Sequence, residues 1–457
     1  MVARLPDRGI NAPRRLPRPV EVAESTESAG RHNWLLYVFL FFLPLQNIQT
    51  GYMPNLGGGL NFLNIGFMLS LIGAIRCRGS LSRGSPVHKW IIAYVLANCV
   101  ALMVGYNMLH LEEDGRFNSL KDAMIAVMLV FVVEMSVTNW ATLKRVILVT
   151  LLPMPYMLRV TWVEHAGVDT SHYKDSLRIQ GTFSLLGANE FAAFCVMMAV
   201  LLLALLLVGK FSWRWRALLG AGIACMVLGV IWCYSRTAYV TIIVGVLCVL
   251  LLMRGRLKMI LPLLIAGLVL PAVMPESVTE RFQSTSIEQG SRDESTEMRF
   301  KFWEIAWEHF NAHPAFGIGY KSFQAREYNP YGMDTHNFFM RELAEKGLFG
   351  FLITTGLFLS LLAASWRAMR VSRHESFAYP LGIGMVAAWF TLLVGNFWGD
   401  RFTYYPLIGY FWVYLGLMLK AQEFELAEQA AIAKASTDAP KPEVTVRRFA
   451  QPRPRNA

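Results

Sequence analysis

Residues 216–253 read RALLGAGIACMVLGVIWCYSRTAYVTIIVGVLCVLLLM. Two apolar runs, 216–234 and 237–253, are separated there by little more than Ser235 and Arg236. About 20 apolar residues in helical conformation cross a bilayer core of roughly 30 Å. A connection this short cannot carry Arg236 far from the membrane boundary. The stretch therefore predicts two adjacent spanning helices with one charged residue held at their junction.

The pattern recurs along the chain. Further apolar runs lie at 34–52, 60–75, 89–109, 122–138, 143–163, 189–208, 257–274, 342–365, 378–397 and 402–420. Pro153 and Pro155 predict a kink or break in the run at 143–163, as a helical bundle tolerates. The composition agrees: of 457 residues 54% are hydrophobic and 16% charged, against about 25% charged in a typical soluble domain. Disordered, collagenous and disulfide-stapled classes are excluded, and an ordinary cytosolic enzyme is disfavoured. The expectation is an all-α polytopic membrane protein of about 12 transmembrane helices.

The net charge of +11 could indicate nucleic acid in a soluble protein, but the basic residues sit mostly in short loops between apolar runs. Alternate loops differ. One set holds fifteen basic residues, from Arg76, Arg78, Arg83 and Lys89 through to Arg367, Arg370 and Arg373. The other short loops hold six: Arg116, Lys121, Lys174, Arg178, Arg236 and Arg401. The positive-inside rule then predicts both termini in the cytoplasm. Residues 1–33 lack an apolar core, so they read as a disordered Pro/Arg-rich cytoplasmic tail and not as a signal peptide. Helices 1–9 would occupy 34–274, a large extracytoplasmic loop 275–341, helices 10–12 residues 342–420, and a second cytoplasmic tail 421–457.

A loop of that length between helices 9 and 10 is expected to carry function. Within it, 297–310 predicts a helix with Phe300, Trp303, Trp307 and Phe310 on one face, lying in the membrane interface or packed as a lid on the bundle. The cysteines (Cys77, Cys99, Cys195, Cys225, Cys233 and Cys248) lie in or beside apolar runs without CxxC spacing, so they read as small packing residues.

Polar residues placed where a membrane makes them costly are the functional candidates. Arg178 precedes the sixth run, and Arg236 joins the seventh and eighth. Arg236 is either a snorkelling side chain meeting lipid phosphate or part of a ligand site. Guanidinium groups bind phosphate oxygens in bidentate fashion, so arginines converging from outer loops would form a diphosphate site without a metal. His336, where the long loop re-enters the membrane, is either structural or a proton acceptor, with Asp334, Asn337 and Glu342 as orienting partners. His309 and His313 have ligand-like i, i+4 spacing but lack a third ligand, so no metal is expected. Gly317-Ile318-Gly319 reads as a tight turn, Gly57 to Gly59 as a flexible loop, and Glu112-Glu113-Asp114 as a solvated face.

Several of these pieces occur together in a known order. Arg178-Ile-Gln-Gly-Thr-Phe is followed by Asn189-Glu-Phe-Ala and Ser235-Arg-Thr-Ala. Then come Arg299-Phe-Lys-Phe-Trp303, His313-Pro-Ala-Phe-Gly-Ile-Gly-Tyr-Lys-Ser-Phe323, His336-Asn337 and Gly347. In this the chain resembles the O-antigen ligase and polymerase superfamily of bacterial membrane glycosyltransferases. The resemblance implies a GT-C-like fold in the inner membrane, with its active site facing the periplasm. It implies a donor glycan on undecaprenyl diphosphate, an acceptor hydroxyl on a glycan, lipid A core or other molecule, and no cofactor, metal or nucleic acid. Carried over, Arg178 and Arg236 would hold the diphosphate and His336 would serve the acceptor, with Arg299, Trp303 and Asn337 binding or positioning substrate. The alternative from another class is a twelve-span secondary transporter. Its usual long central cytoplasmic connection is missing here, as the loop near Lys210 is short, and its two halves show no evident repeat.

Overall fold

A computed structural model describes residues 32–53, 55–57, 60–82, 85–111, 115–168, 174–253, 294–374 and 376–438. Among the described residues the regular structure is entirely helical. The first helices are α1 (Trp34–Phe42), α2 (Gln46–Tyr52), α3 (Phe62–Cys77), α4 (Val87–Met108) and α5 (Arg116–Ser136). They are followed by α6 (Trp140–Leu151), α7 (Met154–His165), α8 (Ala188–Val208), α9 (Trp213–Trp232) and α10 (Arg236–Leu252). The last four are α11 (Glu294–Ala312), α12 (Phe338–Val371), α13 (Ala378–Asn396) and α14 (Tyr405–Asp438). The apolar run expected at 257–274, the loop residues up to 293 and most of both tails lie outside the described residues.

Six of the described helical stretches are long and apolar enough to cross a membrane: α4, α6 with α7, α8, α9, α12 and α13. Two more, α3 and α10, are apolar but shorter. The expected count of twelve is therefore not reached among the described residues, for identifiable reasons. Pro44 separates α1 from α2 within the run at 34–52. Lys121, Asp122 and Glu134 dilute α5. The apolar half of α14 carries Tyr405, Tyr410, Trp412 and Tyr414, and the helix continues to Asp438, past the expected end of the last span at 420. The break at Pro153 and Pro155 is present, with Pro153 preceding the first residue of α7. Helices α8 and α13 are buried along most of their length, as expected where apolar residues cover every face of a helix.

The element that positions the long loop is a fracture in α12. Gly347 has φ +60 and ψ −164, so the helix breaks between Lys346 and Leu348. The loop segment 314–320 fits into the break. Ile318 N–H donates to the Ala344 carbonyl at 2.9 Å and Gly319 N–H to that of Glu345 at 2.8 Å. In return Leu348 N–H donates to Pro314 at 2.8 Å and Phe349 N–H to Ala315 at 3.1 Å. Tyr320 N–H then reaches the Ala101 carbonyl of α4 at 2.9 Å. The two glycines thus do more than turn the chain. A Cβ on Gly317 would lie 2.4 Å from the Glu345 carbonyl carbon, and one on Gly319 would lie 2.1 Å from Gly105 Cα.

Beside the break lies a buried charge cluster. Arg341 pairs with Asp400, approaches Glu345 at 3.7 Å and Glu342 at 3.9 Å, and donates to Thr403 Oγ1 at 2.7 Å. Lys346 Nζ lies 2.5 Å from Glu342 and over the rings of Tyr94 and Tyr320. With Lys321 over the Tyr404 ring at the margin, three cations face three carboxylates. Desolvating such charges is offset only when they are mutually paired, so loss of one member leaves an uncompensated charge.

Helix α11 confirms the expected helix but not the expected face. Its buried ridge is Phe302 and Ala306, packed on Ile318, Phe323 and Ala344, one register from the aromatic stripe. Trp307 of that stripe stays 49% exposed. His309 binds the Tyr328 carbonyl at 2.8 Å.

Two outcomes are expected. Gly319→Ala forces a side chain into a left-handed backbone (φ +102), costing about 1–3 kcal/mol before the overlap with Gly105 is counted. It should lower the thermal unfolding midpoint in detergent, while Gly220→Ala, inside α9 with nothing within 4 Å of its Cβ, does not lower it. Arg341→Met should destabilise by about 3–5 kcal/mol, read from the same melts.

Candidate functional site

Three segments far apart in sequence close around one open cavity of about 600 Å³. The first, 175–190, contributes Asp175, Arg178, Asn189 and Glu190. The second, 324–336, contributes Gln324, Asp334 and His336, and the third, 398–404, contributes Trp398, Asp400, Arg401 and Tyr404.

The Arg178 segment is fixed on three sides. Glu164, near the end of α7, accepts from Gln180 N–H at 3.1 Å and Gly181 N–H at 3.0 Å. Gly181 turns in the left-handed region (φ +55) against the Phe191 ring, where a Cβ would lie 2.6 Å from ring atoms. Thr182 Oγ1 donates to the Pro44 carbonyl at 2.9 Å and the Thr182 carbonyl accepts from Asn47 N–H at 3.1 Å. So placed, Arg178 donates to Asn189 Oδ1 at 2.6 Å, while its Nε is buried without a hydrogen-bond partner. The same Oδ1 accepts from Ser235 Oγ at 2.9 Å. Asn189 thereby ties the Arg178 loop to the start of α10, where Arg236 sits half-buried as the first helical residue. Arg236 itself is not among the residues lining the cavity.

Arg401 supplies a cation that sequence reading counted only as a loop charge. Its side chain is 3% exposed and paired with Glu190, which is 19% exposed. Gly399 makes the space: a Cβ there would lie 2.7 Å from the Arg401 guanidinium carbon. Burial pushes the Asp400 carboxyl up, but the Arg341 guanidinium and then Lys321 outweigh it and hold the group at about 2. Asp400 is therefore a fixed anion.

His336 sits in a strained left-handed conformation (φ 51). Its neighbours impose it. Thr335 N–H donates to Asp334 Oδ1 at 2.8 Å, Thr335 Oγ1 donates to the Asn337 carbonyl at 2.8 Å, and Phe338 N–H donates to the Gly399 carbonyl at 3.1 Å. Such strain persists only where surrounding contacts over-determine it, and it concentrates at functional sites. Burial pushes the imidazole pKa down; Asp334 opposes this, Arg299 adds to it, and the net shift is downward from 6.5. The ring is thus neutral at pH 7, the form a proton acceptor needs.

The remaining candidates surround the cavity without lining it. Asn337 caps α12, its Oδ1 accepting from Phe339 N–H at 3.0 Å and Met340 N–H at 3.1 Å. Trp303 Nε1 donates to the Thr335 carbonyl at 3.0 Å, and its ring packs behind Trp398 with centroids 5.6 Å apart. Arg299 acts on His336 through its charge. Among the described residues no group of three or more His, Cys, Asp or Glu side chains is arranged to hold a metal ion.

A basic group whose folded pKa lies below its unfolded value is protonated more readily in the unfolded chain. His336 should therefore weaken the fold as pH falls from 6.5 toward its folded pKa, and leave it unaffected above 6.5. Thermal melts across pH 5–7.5 should show this acid-side loss in the parent protein and less of it in His336→Gln.

Comparison with curated proteins matched none to this chain. Residues 221–355 match the family model described as O-antigen ligase. That segment contains Arg236, Arg299, Trp303, His336, Asn337 and Gly347, whereas Arg178, Trp398 and Arg401 lie outside it. Over that segment the chain is similar to the O-antigen ligase family, and its apolar helices are those of a multi-pass membrane protein.

Proposed function

We propose that the protein is a metal-independent glycosyltransferase of surface polysaccharide assembly. It transfers glycan from undecaprenyl diphosphate to an acceptor hydroxyl, with the cavity on the periplasmic side of the inner membrane and both termini in the cytoplasm. The observation that carries this reading is the meeting of Arg178, Arg401 and His336 in one cavity.

The chemistry follows from that grouping. The acceptor oxygen bonds to the anomeric carbon while the bond from that carbon to the phosphate oxygen breaks. The diphosphate leaves with the electron pair, and His336 takes the hydroxyl proton. A lipid diphosphate is already a competent leaving group, so the main demand on the protein is to stabilise its negative charge. Arg178 supplies that stabilisation from a half-buried position and Arg401 from a buried one, where fixed charges act more strongly than in water. Arg236 supports the same end of the cavity through Ser235 and Asn189. Glu190 neutralises Arg401 until a phosphate competes for it. Both a ligase, which delivers finished glycan to a core or protein, and a polymerase, which extends a lipid-linked chain, use this chemistry.

Arg178→Ala and His336→Ala should each reduce glycan assembly by about 10²–10³-fold, the usual cost of removing one preorganised stabilising group, with membrane insertion intact. Arg236→Ala should reduce assembly as well. The readout is surface glycan resolved on a gel after complementing a deletion strain. Normal glycan in all three variants overturns the proposed site. In the deletion strain itself, single repeats on the core mark a polymerase, and long lipid-linked chains that never reach the core mark a ligase.

A further inference from the structure

Diphosphate binding and proton transfer leave several residues of the cavity lining unused. Trp398, Gln324 and Asp175 are among them, and Asp334 has a carboxylate on the same cavity. Trp398 is 38% exposed, although its near neighbours Asp400 and Arg401 are buried. Its position is fixed. Trp398 N–H donates to the Gly395 carbonyl at 3.2 Å, the carbonyl of the following Gly399 accepts from Phe338 N–H at 3.1 Å, and the ring rests on Trp303. Trp303 is anchored in turn through its bond to the Thr335 carbonyl. One indole thus supports another, and the second is presented to the cavity.

A pyranose ring has matching chemistry. One of its faces carries C–H groups that pack on the electron-rich face of an indole, and its rim carries hydroxyls that need hydrogen-bond partners. A lipid chain would find the same indole acceptable, but it would leave the carboxylates of Asp334 and Asp175 and the amide of Gln324 beside hydrocarbon, at a desolvation cost. Asp334 is two residues from His336 and lines the same space. We infer that Trp398 is the stacking platform for the sugar ring that presents the reacting hydroxyl, with Asp334 and Gln324 binding its other hydroxyls. The inference rests on the glycosyltransferase reading for its choice of ligand, and it assigns Trp303 a positioning role behind the platform.

The test uses the full-length protein in lipid nanodiscs and saturation-transfer NMR with methyl pyranosides of glucose, galactose, mannose and N-acetylglucosamine. At least one should receive saturation on its ring C–H protons from the parent protein and from Trp398→Phe. Transfer should be about fivefold weaker in Trp398→Leu and Trp398→Ala, since bulk alone does not replace an aromatic face. Transfer absent from the parent, or unchanged in the Leu and Ala variants, overturns the platform. Arg178→Ala separates the two proposals, because it should reduce glycan assembly by about 10²–10³-fold and still bind the pyranoside. If assembly persists in Arg178→Ala while pyranoside binding depends on Trp398, the diphosphate reading fails and the platform stands.

Discussion

The structure depends on one interrupted helix. A continuous α12 would satisfy its own backbone and offer the long loop nothing to hold. The break at Gly347 frees the Ala344 and Glu345 carbonyls and the Leu348 and Phe349 amides, and segment 314–320 satisfies all four. Backbone outside regular helix is tolerated at membrane depth only where protein covers it. Here the covering segment belongs to the loop that bears His336. The same interruption explains the charges beside it, because Arg341, Glu342, Glu345 and Lys346 lie on the last turns before the break and neutralise one another.

From this anchor the site assembles through short polar links. Gly399 joins the start of α12 through its carbonyl and leaves space for Arg401. Arg401 meets Glu190 at the start of α8, and the adjacent Asn189 gathers Arg178 and Ser235. Three segments are thereby fixed to helix ends, which holds the cavity's charges in place before any ligand arrives. Preorganisation of this kind is what electrostatic stabilisation of a leaving group requires.

Much of this was legible in sequence, and the illegible parts share a cause. Apolar run length located the six described helical stretches long enough to cross a membrane, and Pro153 with Pro155 located a break. Arg178 and His336 stood out because charge near hydrocarbon is costly. Arg401 and Glu190 did not, because each alone is an ordinary charge at a helix end and they are 211 positions apart. Gly317 and Gly319 were readable as a turn, but the need for glycine at the second comes from Gly105 on another helix. Trp398 was hidden in a chain already 13% aromatic. Asn337 shows the converse case, a polar residue beside a candidate base whose side chain caps the following helix. Pairwise meetings across long separations have no local periodicity, so composition and spacing cannot register them.

The clamp also divides the cavity rim by its tolerance of change. Segment 314–323 is bound to two helices and Thr335 to Phe338 is bound to its neighbours, so the chain between them is tethered at both ends. That intervening stretch brings Gln324, Gly332 and Met333 to the cavity. Substitutions there can reshape what the cavity accepts while the arginines, the histidine and the broken helix stay as they are. Within the stretch the Tyr328 carbonyl, bound by His309, and the fully buried Asn329 tie it to the fold, so the room to vary the cavity lining lies at exposed positions such as Met333.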